Sequence, residues 1–503
     1  MPHITIADKP CGYGKSTEIN RSFKKSEKYV AVVPYLSEVD RFIKGARTGS
    51  DFILTQPICN GGSKSDHCEK LIRAGKSIAC THALFYRLGT LATQNTGVAR
   101  CTEFDSDGKP TIEVDHLLSG YNLIIDEVVN PFEVDQTVRK VDFDTAYLGL
   151  GLAKEEPDGR IVPTEMWDEL YRKGNKTFDR SLYDKAKPGA LYRISEKLFV
   201  LAIPKELLLK PKSVTIYTYL SEGSVLLQYL QKLQKEHPGS FTLDVQRLDK
   251  EVEAAWREDV ANALTVLPIP ELKNQKWTHC AQLKTIKTHP QCSSIGHKLR
   301  KFKARELYGV DPKTVMLTCA RRLWHDAETG QKPKAGRLSR HTRMFGRALK
   351  EEVYNKDTEV FDAVWTTDGV SFVPNTTRGT NDHIGCTTAV YLYDQNPNPQ
   401  LLTFLGMKRN SDEARRFSDA YALTELVQWL FRSAIRVGGL NGTGHAYTQR
   451  RRVTLYMPSQ RMRNLLLNWL LSGQVNSGQV CAKGHRQNEL LARLEGRQVA
   501  AAA

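Results

Sequence analysis

The sequence has no apolar run near the roughly 18 residues that a membrane span requires. Its best candidates, residues 30–33 and 465–467, are short. No secretion leader is expected in the first 20 residues either, because Asp8, Lys9 and Lys15 interrupt any apolar stretch there. Its ten cysteines contain no C-x-x-C pair and no regular spacing, which argues against a zinc module or a disulfide framework. Cys59, His67 and Cys68 come nearest to a cluster but lack paired ligand spacing, so reduced thiols in a cytosol are expected. No G-x-S-x-G elbow supports a serine hydrolase. No zinc-finger, helix-turn-helix or RRM signature points to sequence-specific readout. Acidic residues are in deficit: 72 Lys and Arg against 56 Asp and Glu leave +16, which favours a polyanionic partner, nucleic acid above all.

What is present reads as a globular chain. Hydrophobic residues at 40% and charged residues at 25% argue against extensive disorder. At about 150 residues per domain, 503 residues suggest about three domains or two enlarged ones. Short β-rich runs at 3–7, 29–33, 76–80, 122–125 and 214–218 alternate with helical patterns, the signature of a parallel α/β sheet. Residues 150–200 are polar and read as a loop-rich insertion, and 236–300 as a connector. A second α/β series follows, with strands at 314–318, 363–366, 389–393 and 453–456 and a helix over 423–435. The stretch from about 476 reads as a basic helical tail ending in alanines. The expected domains are therefore 1–235, 236–300, 301–475 and 476–503.

The strongest motif is Pro10-Cys11-Gly12-Tyr13-Gly14-Lys15-Ser16-Thr17, between a strand and a helix. Binding a phosphate takes converging backbone N–H groups and a cation; Gly12 and Gly14 let the chain wrap closely, and the helix start aims its dipole at the anion. Lys15 is then the contact to the β- and γ-phosphates of ATP, Ser16 a ligand of Mg²⁺, and Thr17 the next residue of the cradle. Lys9 stands where the full phosphate-loop pattern has its first glycine. The second motif, Leu123-Ile124-Ile125-Asp126-Glu127, is an apolar strand ending in two acids. A parallel strand delivers such residues to the edge where the phosphate loop lies, so Asp126 reads as a metal ligand and Glu127 as the base for an attacking water.

These motifs, in this order, resemble those of a superfamily 2 helicase. Val30-Ala31-Val32-Val33-Pro34, with Glu38 and Arg41, resembles the segment that touches the nucleic-acid backbone. Cys80-Thr81-His82-Ala83-Leu84 resembles a second one. Thr218-Tyr219-Leu220-Ser221-Glu222-Gly223-Ser224 loosely resembles the coupling motif, and Thr376-Thr377-Arg378-Gly379-Thr380-Asn381 the motif linking strand grip to nucleotide state. The stretch from Gln428 through Arg432 to Arg436 resembles the motif that brings arginines to the γ-phosphate. It departs from the family spacing: Phe431 replaces a glycine, and Arg436 follows Arg432 by four. On one helix, 428, 432 and 436 would share a face. Both arginines stay open as the finger, with Arg436 favoured.

The resemblance implies an α/β fold of two tandem RecA-like domains with parallel sheets, insertions and a helical tail. It implies ATP and Mg²⁺ as cofactors and a DNA helicase or translocase of a viral or plasmid replication or recombination type. Its partners would be single-stranded or forked DNA, with RNA as an alternative, together with replication or recombination proteins, and no membrane. Its compartment would be the cytoplasm, a host's if viral. Pro34, Thr81, His82, Arg378, Gly379 and Thr380 are the implied strand contacts. An RNA helicase, or an ATP-switched remodelling factor that separates no strands, remains as the alternative. Basic residues at Lys298, Arg300, Lys301, Lys303 and Arg305, at Arg337, Arg340, Arg343 and Arg347, and at Arg450, Arg451 and Arg452 suggest phosphate contacts. Phe302, Trp324 and Phe345 among them could stack on unpaired bases.

Overall fold

The computed structural model of the chain describes residues 2–59, 63–93, 95–104, 110–127, 131–135, 143–175, 178–196, 198–273, 275–287, 289–321, 348–355, 360–367, 370–377, 381–440 and 448–497. Two compact units emerge. One comprises Met1–Lys9, Gly14–Arg247 and Asn398–Ala414; the other comprises Pro10–Tyr13, Leu248–Pro397 and Arg415–Ala503. Each is an α/β unit on a parallel sheet, in keeping with the α/β class expected from the sequence.

The first unit is built from β1 (His3–Asp8), α1 (Lys15–Ser22), β2 (Lys28–Val33), α2 (Leu36–Ser50), β3 (Ile78–Thr81), α3 (His82–Tyr86), β4 (Tyr121–Asp126), β5 (Ser213–Thr218), α4 (Val225–Glu236) and β6 (Thr242–Arg247). Its six strands stand in the order β6-β1-β5-β4-β2-β3, every pairing parallel. Strands covered on both faces read as continuous apolar runs. Thus Val30, Ala31, Val32 and Val33 are all buried, as are Ile4 and Ile6. β5 lies between β1 and β4, so the phosphate loop and the acidic strand end emerge from the same edge one strand apart. α2 packs closely on α1: a Cβ built on Gly49 would fall 2.8 Å from the Asn20 carbonyl oxygen. Edge and stacked contacts among Phe23, Tyr29 and Phe52, at 5.0–5.3 Å between centroids, fasten the same corner.

The region expected to be a polar loop insertion is instead an ordered module with its own core. Phe143, Tyr147, Leu152, Trp167, Leu182, Tyr183 and Phe199 bury one another there. Helices Glu165–Arg172 and Arg180–Ala186 share this core with a small antiparallel sheet of Phe132–Asp135, Leu191–Ser195 and Leu198–Ala202. Helix Pro399–Phe404 also belongs to this unit, with Phe404 against Phe132, Tyr192 and Tyr229.

The second unit contains α5 (Lys250–Asn262), β7 (Leu264–Pro268), β8 (Val315–Thr318), β9 (Ser371–Phe372), β10 (Thr388–Tyr391), α6 (Asp412–Leu430), β11 (Val453–Met457), α7 (Gln460–Ser472) and α8 (Gly484–Leu494). Its sheet runs β7-β11-β10-β8-β9, again all parallel. The stretch expected as a strand at 363–366 lies in Val360–Thr367, which pairs with Ala348–Asn355 as an antiparallel hairpin outside that sheet. Residues 236–300 supply β6 to the first sheet and β7 to the second. Helix α8 occupies the expected helical tail. Among the described residues, no helix is long and apolar enough to cross a membrane.

Candidate functional site

β1 ends at Asp8, and the chain turns through Pro10–Tyr13 and Gly14 into α1. The Tyr13 N–H donates to the Pro10 carbonyl at 3.2 Å. Gly12 and Gly14 have φ of +79° and +86°, a region that costs other residues about 1–2 kcal/mol. Gly14 is also the N-cap of α1 and has no side chain to cap it. The first-turn N–H groups are therefore presented by backbone alone, the arrangement that receives a phosphate. Lys15 donates from Nζ to the Lys9 carbonyl at 3.2 Å. Lys9, the residue in place of a glycine, pairs with Glu18 one turn into α1. Thr17 is exposed beside them.

The second motif meets the first. Ser16 Oγ donates to Asp126 Oδ2 at 3.4 Å, although 110 residues separate them. Asp126 is 5% exposed. Burial, then the Glu127 charge, push its carboxyl up to about 6, against the opposing charges of Lys15 and Arg41. Glu127 adopts a left-handed backbone, φ +61°, and its N–H donates to the Tyr217 carbonyl on β5 at 3.1 Å. A bulky residue in that region is an outlier of the kind concentrated at working sites. A hydroxyl and a carboxylate this close form a hard-oxygen donor pair that suits Mg²⁺. A cation held there would favour the ionised Asp126. Together with the Lys15 ammonium and the two glycines, these groups fit an Mg²⁺-nucleotide.

Neighbouring segments reach the same corner. His82, the first residue of α3, lies with Nε2 3.4 Å from the Asp126 carbonyl oxygen. A carbonyl only accepts, so a hydrogen bond there requires the tautomer with the proton on Nε2. Thr81 caps α3, its Oγ1 accepting from the Leu84 N–H at 3.4 Å. Pro34 is half-buried where β2 gives way to α2. On α2, Arg41 pairs with Glu38 and donates from Nη2 to Ser16 Oγ at 3.5 Å. Sequence reasoning grouped Glu38 and Arg41 with the strand-contact segment; only the α1–α2 packing reveals their reach to Ser16. At the end of β5, the Ser221 N–H donates to buried Asp8 at 2.9 Å, and Ser224 caps α4.

The arginine motif of the second unit departs from the expected geometry. α6 ends at Leu430, and Ala434–Arg436 is a separate 3₁₀ turn, so Gln428, Arg432 and Arg436 do not share one helical face. Ser433 Oγ donates to the Leu430 carbonyl and accepts from the Ile435 N–H, which ends the helix. Gln428 is buried within α6. Arg432 is buried. Burial, opposed by Asp382 and assisted by the Arg432 charge, holds His383 below the usual histidine range. Arg436 is half-buried. Arg378, Gly379 and Thr380 lie outside the described residues.

Two expected nucleic-acid contacts are corrected. Phe302 is fully buried with its ring 5.1 Å from Tyr456, so it is a core residue and not a stacking platform. Arg450 is also buried. It pairs with Asp259 at 2.8 Å and donates to the Ile435 carbonyl at 2.7 Å, beneath the rings of Trp256 and Phe431. Arg300, Lys301, Arg451 and Arg452 are exposed. Arg305 is paired with Glu271 and Glu306. Trp324, Arg337, Arg340, Arg343, Phe345 and Arg347 lie outside the described residues.

A family model described as the YonV C-terminal Rossmann-like domain matches residues 273–470. Over 500 residues the chain is 22% identical to the SPbeta prophage-derived uncharacterized protein YonV of Bacillus subtilis (strain 168), covering 93% of this chain and 99% of that one. Solved structures similar to it include S. tokodaii Xpd4, at 13% identity and TM-score 0.43 over 92% of each chain. Another is a Dbp5 variant of S. cerevisiae bound to RNA and ADP BeF3, at 9% identity and TM-score 0.34 over 98% of this chain and 89% of that one.

Proposed function

We propose that this chain is an ATP-driven nucleic-acid motor, a DNA helicase or translocase. The observation that carries the reading is Ser16 meeting Asp126 beside Lys15, at the mouth of a loop whose two glycines hold left-handed backbone. Mg²⁺ supplies charge neutralisation at the phosphates when bound. Ser16 and Asp126 would hold it, and Lys15 and the first-turn N–H groups of α1 would hold the β- and γ-phosphates. Glu127 would orient the attacking water and accept its proton. Arg436 is the better candidate to stabilise charge developing on the γ-phosphate, because Arg432 is buried.

The excess of basic residues supports a polyanionic partner. Pro34, Thr81, His82, Arg378, Gly379 and Thr380 are the proposed strand contacts. The prophage-derived relative supports a mobile-element type, and the replication or recombination role is proposed on the sequence resemblance alone.

The test is ATP hydrolysis measured in parallel with single-stranded, duplex and forked DNA and with RNA, beside a strand-displacement assay. Stimulation by single-stranded DNA with strand separation is expected. Stimulation by RNA alone would make it an RNA helicase. Stimulation without separation would make it a remodelling factor, and indifference to every nucleic acid would remove the motor reading.

A further inference from the structure

We propose that Arg41 is a positioning residue that competes with the divalent cation for the Ser16–Asp126 corner and so registers the nucleotide state on α2. The inference rests on the Mg²⁺-nucleotide reading of that corner. Arg41 Nη2 lies 3.5 Å from Ser16 Oγ, the hydroxyl that would ligate the metal. The same guanidinium is paired with Glu38, one turn earlier on α2, whose side chain is only 11% exposed. Ser16 in turn donates to Asp126. The charges of both Arg41 and Glu38 are felt at Asp126.

A guanidinium is always charged, offers only donors and cannot itself ligate a metal. Arg41 must therefore withdraw from the Ser16 hydroxyl when that oxygen becomes a metal ligand, because two cations would otherwise share one small polar corner. Its anchor, Glu38, is buried in α2, and α2 begins just after Pro34. Withdrawal of Arg41 would change the charge beside Glu38, within one turn of the start of the segment proposed to contact the nucleic-acid strand. In this arrangement one side chain links the metal corner to Pro34 within a single unit.

The test is Mn²⁺ binding to the full chain, followed by electron paramagnetic resonance with a non-hydrolysable ATP analogue present. Wild type is compared with Arg41→Ala, Arg41→Gln and Arg41→Lys, with folding checked by circular dichroism. Both neutral variants should bind Mn²⁺ about two- to fivefold more tightly than wild type, the range a half-exposed charge interaction sets. Arg41→Lys, which keeps the charge, should stay near wild type. Unchanged or weaker Mn²⁺ binding in folded Arg41→Ala and Arg41→Gln, beside normal binding in wild type, overturns the role of Arg41 alone. If wild type binds no Mn²⁺-nucleotide, the nucleotide reading itself fails and takes this inference with it.

Discussion

The two parallel sheets handle their polar residues in opposite ways. Where β1 and β4 end, Lys15 meets the Lys9 carbonyl, Ser16 meets Asp126 and Arg41 meets Ser16 at 3.2–3.5 Å, although Arg41 also keeps a close pair with Glu38. In the second unit, Arg450 holds Asp259 at 2.8 Å. Gln282 holds the carbonyls of Trp277 and Leu392 at 2.9 Å each, and Arg461 holds Asp394 and Asp419 at 2.8 Å. Short, saturated bonds fix a fold. Long ones at a sheet edge, beside left-handed backbone and a buried carboxyl raised in pKa, leave bonding capacity that a ligand can take up. The contrast supports the proposal that the first edge carries the chemistry, while these second-unit groups hold the fold.

Substitutions should separate the two. Of the three substitutions that separate them, Glu127→Gln should have the largest effect: it should retain ATP but hydrolyse it about 10²- to 10⁴-fold more slowly, the usual contribution of a positioned base. Single-turnover kinetics with a parallel binding titration checks it, and normal turnover of bound ATP would remove the base role. Next, Arg450→Ala strands Asp259 in a buried site and should cost about 3–5 kcal/mol of stability in denaturant unfolding. A loss below 1 kcal/mol would mean that the pair does not fasten the second unit.

The smallest effect is a gain. The Asp126 carboxyl stands near 6 in the folded chain, above its ordinary 3.8, so its protonated form is the one that folding favours. The stability it contributes is full below about pH 4 and is lost as pH rises through 6. Asp126→Asn should therefore match wild type at low pH and exceed it by about 2–3 kcal/mol at pH 8. Identical pH–stability profiles would show that the carboxyl is not strained by burial.

The first edge was legible because its demands are local. Gly12 and Gly14 announce positive φ, and an apolar run closing in Asp126-Glu127 announces a buried parallel strand with its chemistry at the end. The second unit was harder to read because apolar spacing does not report where a helix stops. Trp429, Leu430, Phe431 and Ile435 are all buried, yet Ser433 diverts the backbone between them. The insertion hid its core in aromatics scattered through polar sequence, from Phe143 to Phe199. Phe302 and Arg450 looked like nucleic-acid contacts because composition cannot say which face of an element turns inward. Arg41 reaches Ser16 where α2 packs on α1, a close approach at Gly45 and Gly49 that composition does not announce.

The account stands most directly on steady-state ATP hydrolysis by the full chain, wild type beside Lys15→Ala, with single-stranded DNA present. Turnover by wild type and none by folded Lys15→Ala is the predicted result. Equal rates in the two proteins would contradict the assignment of the β1–α1 corner as the site of nucleotide chemistry.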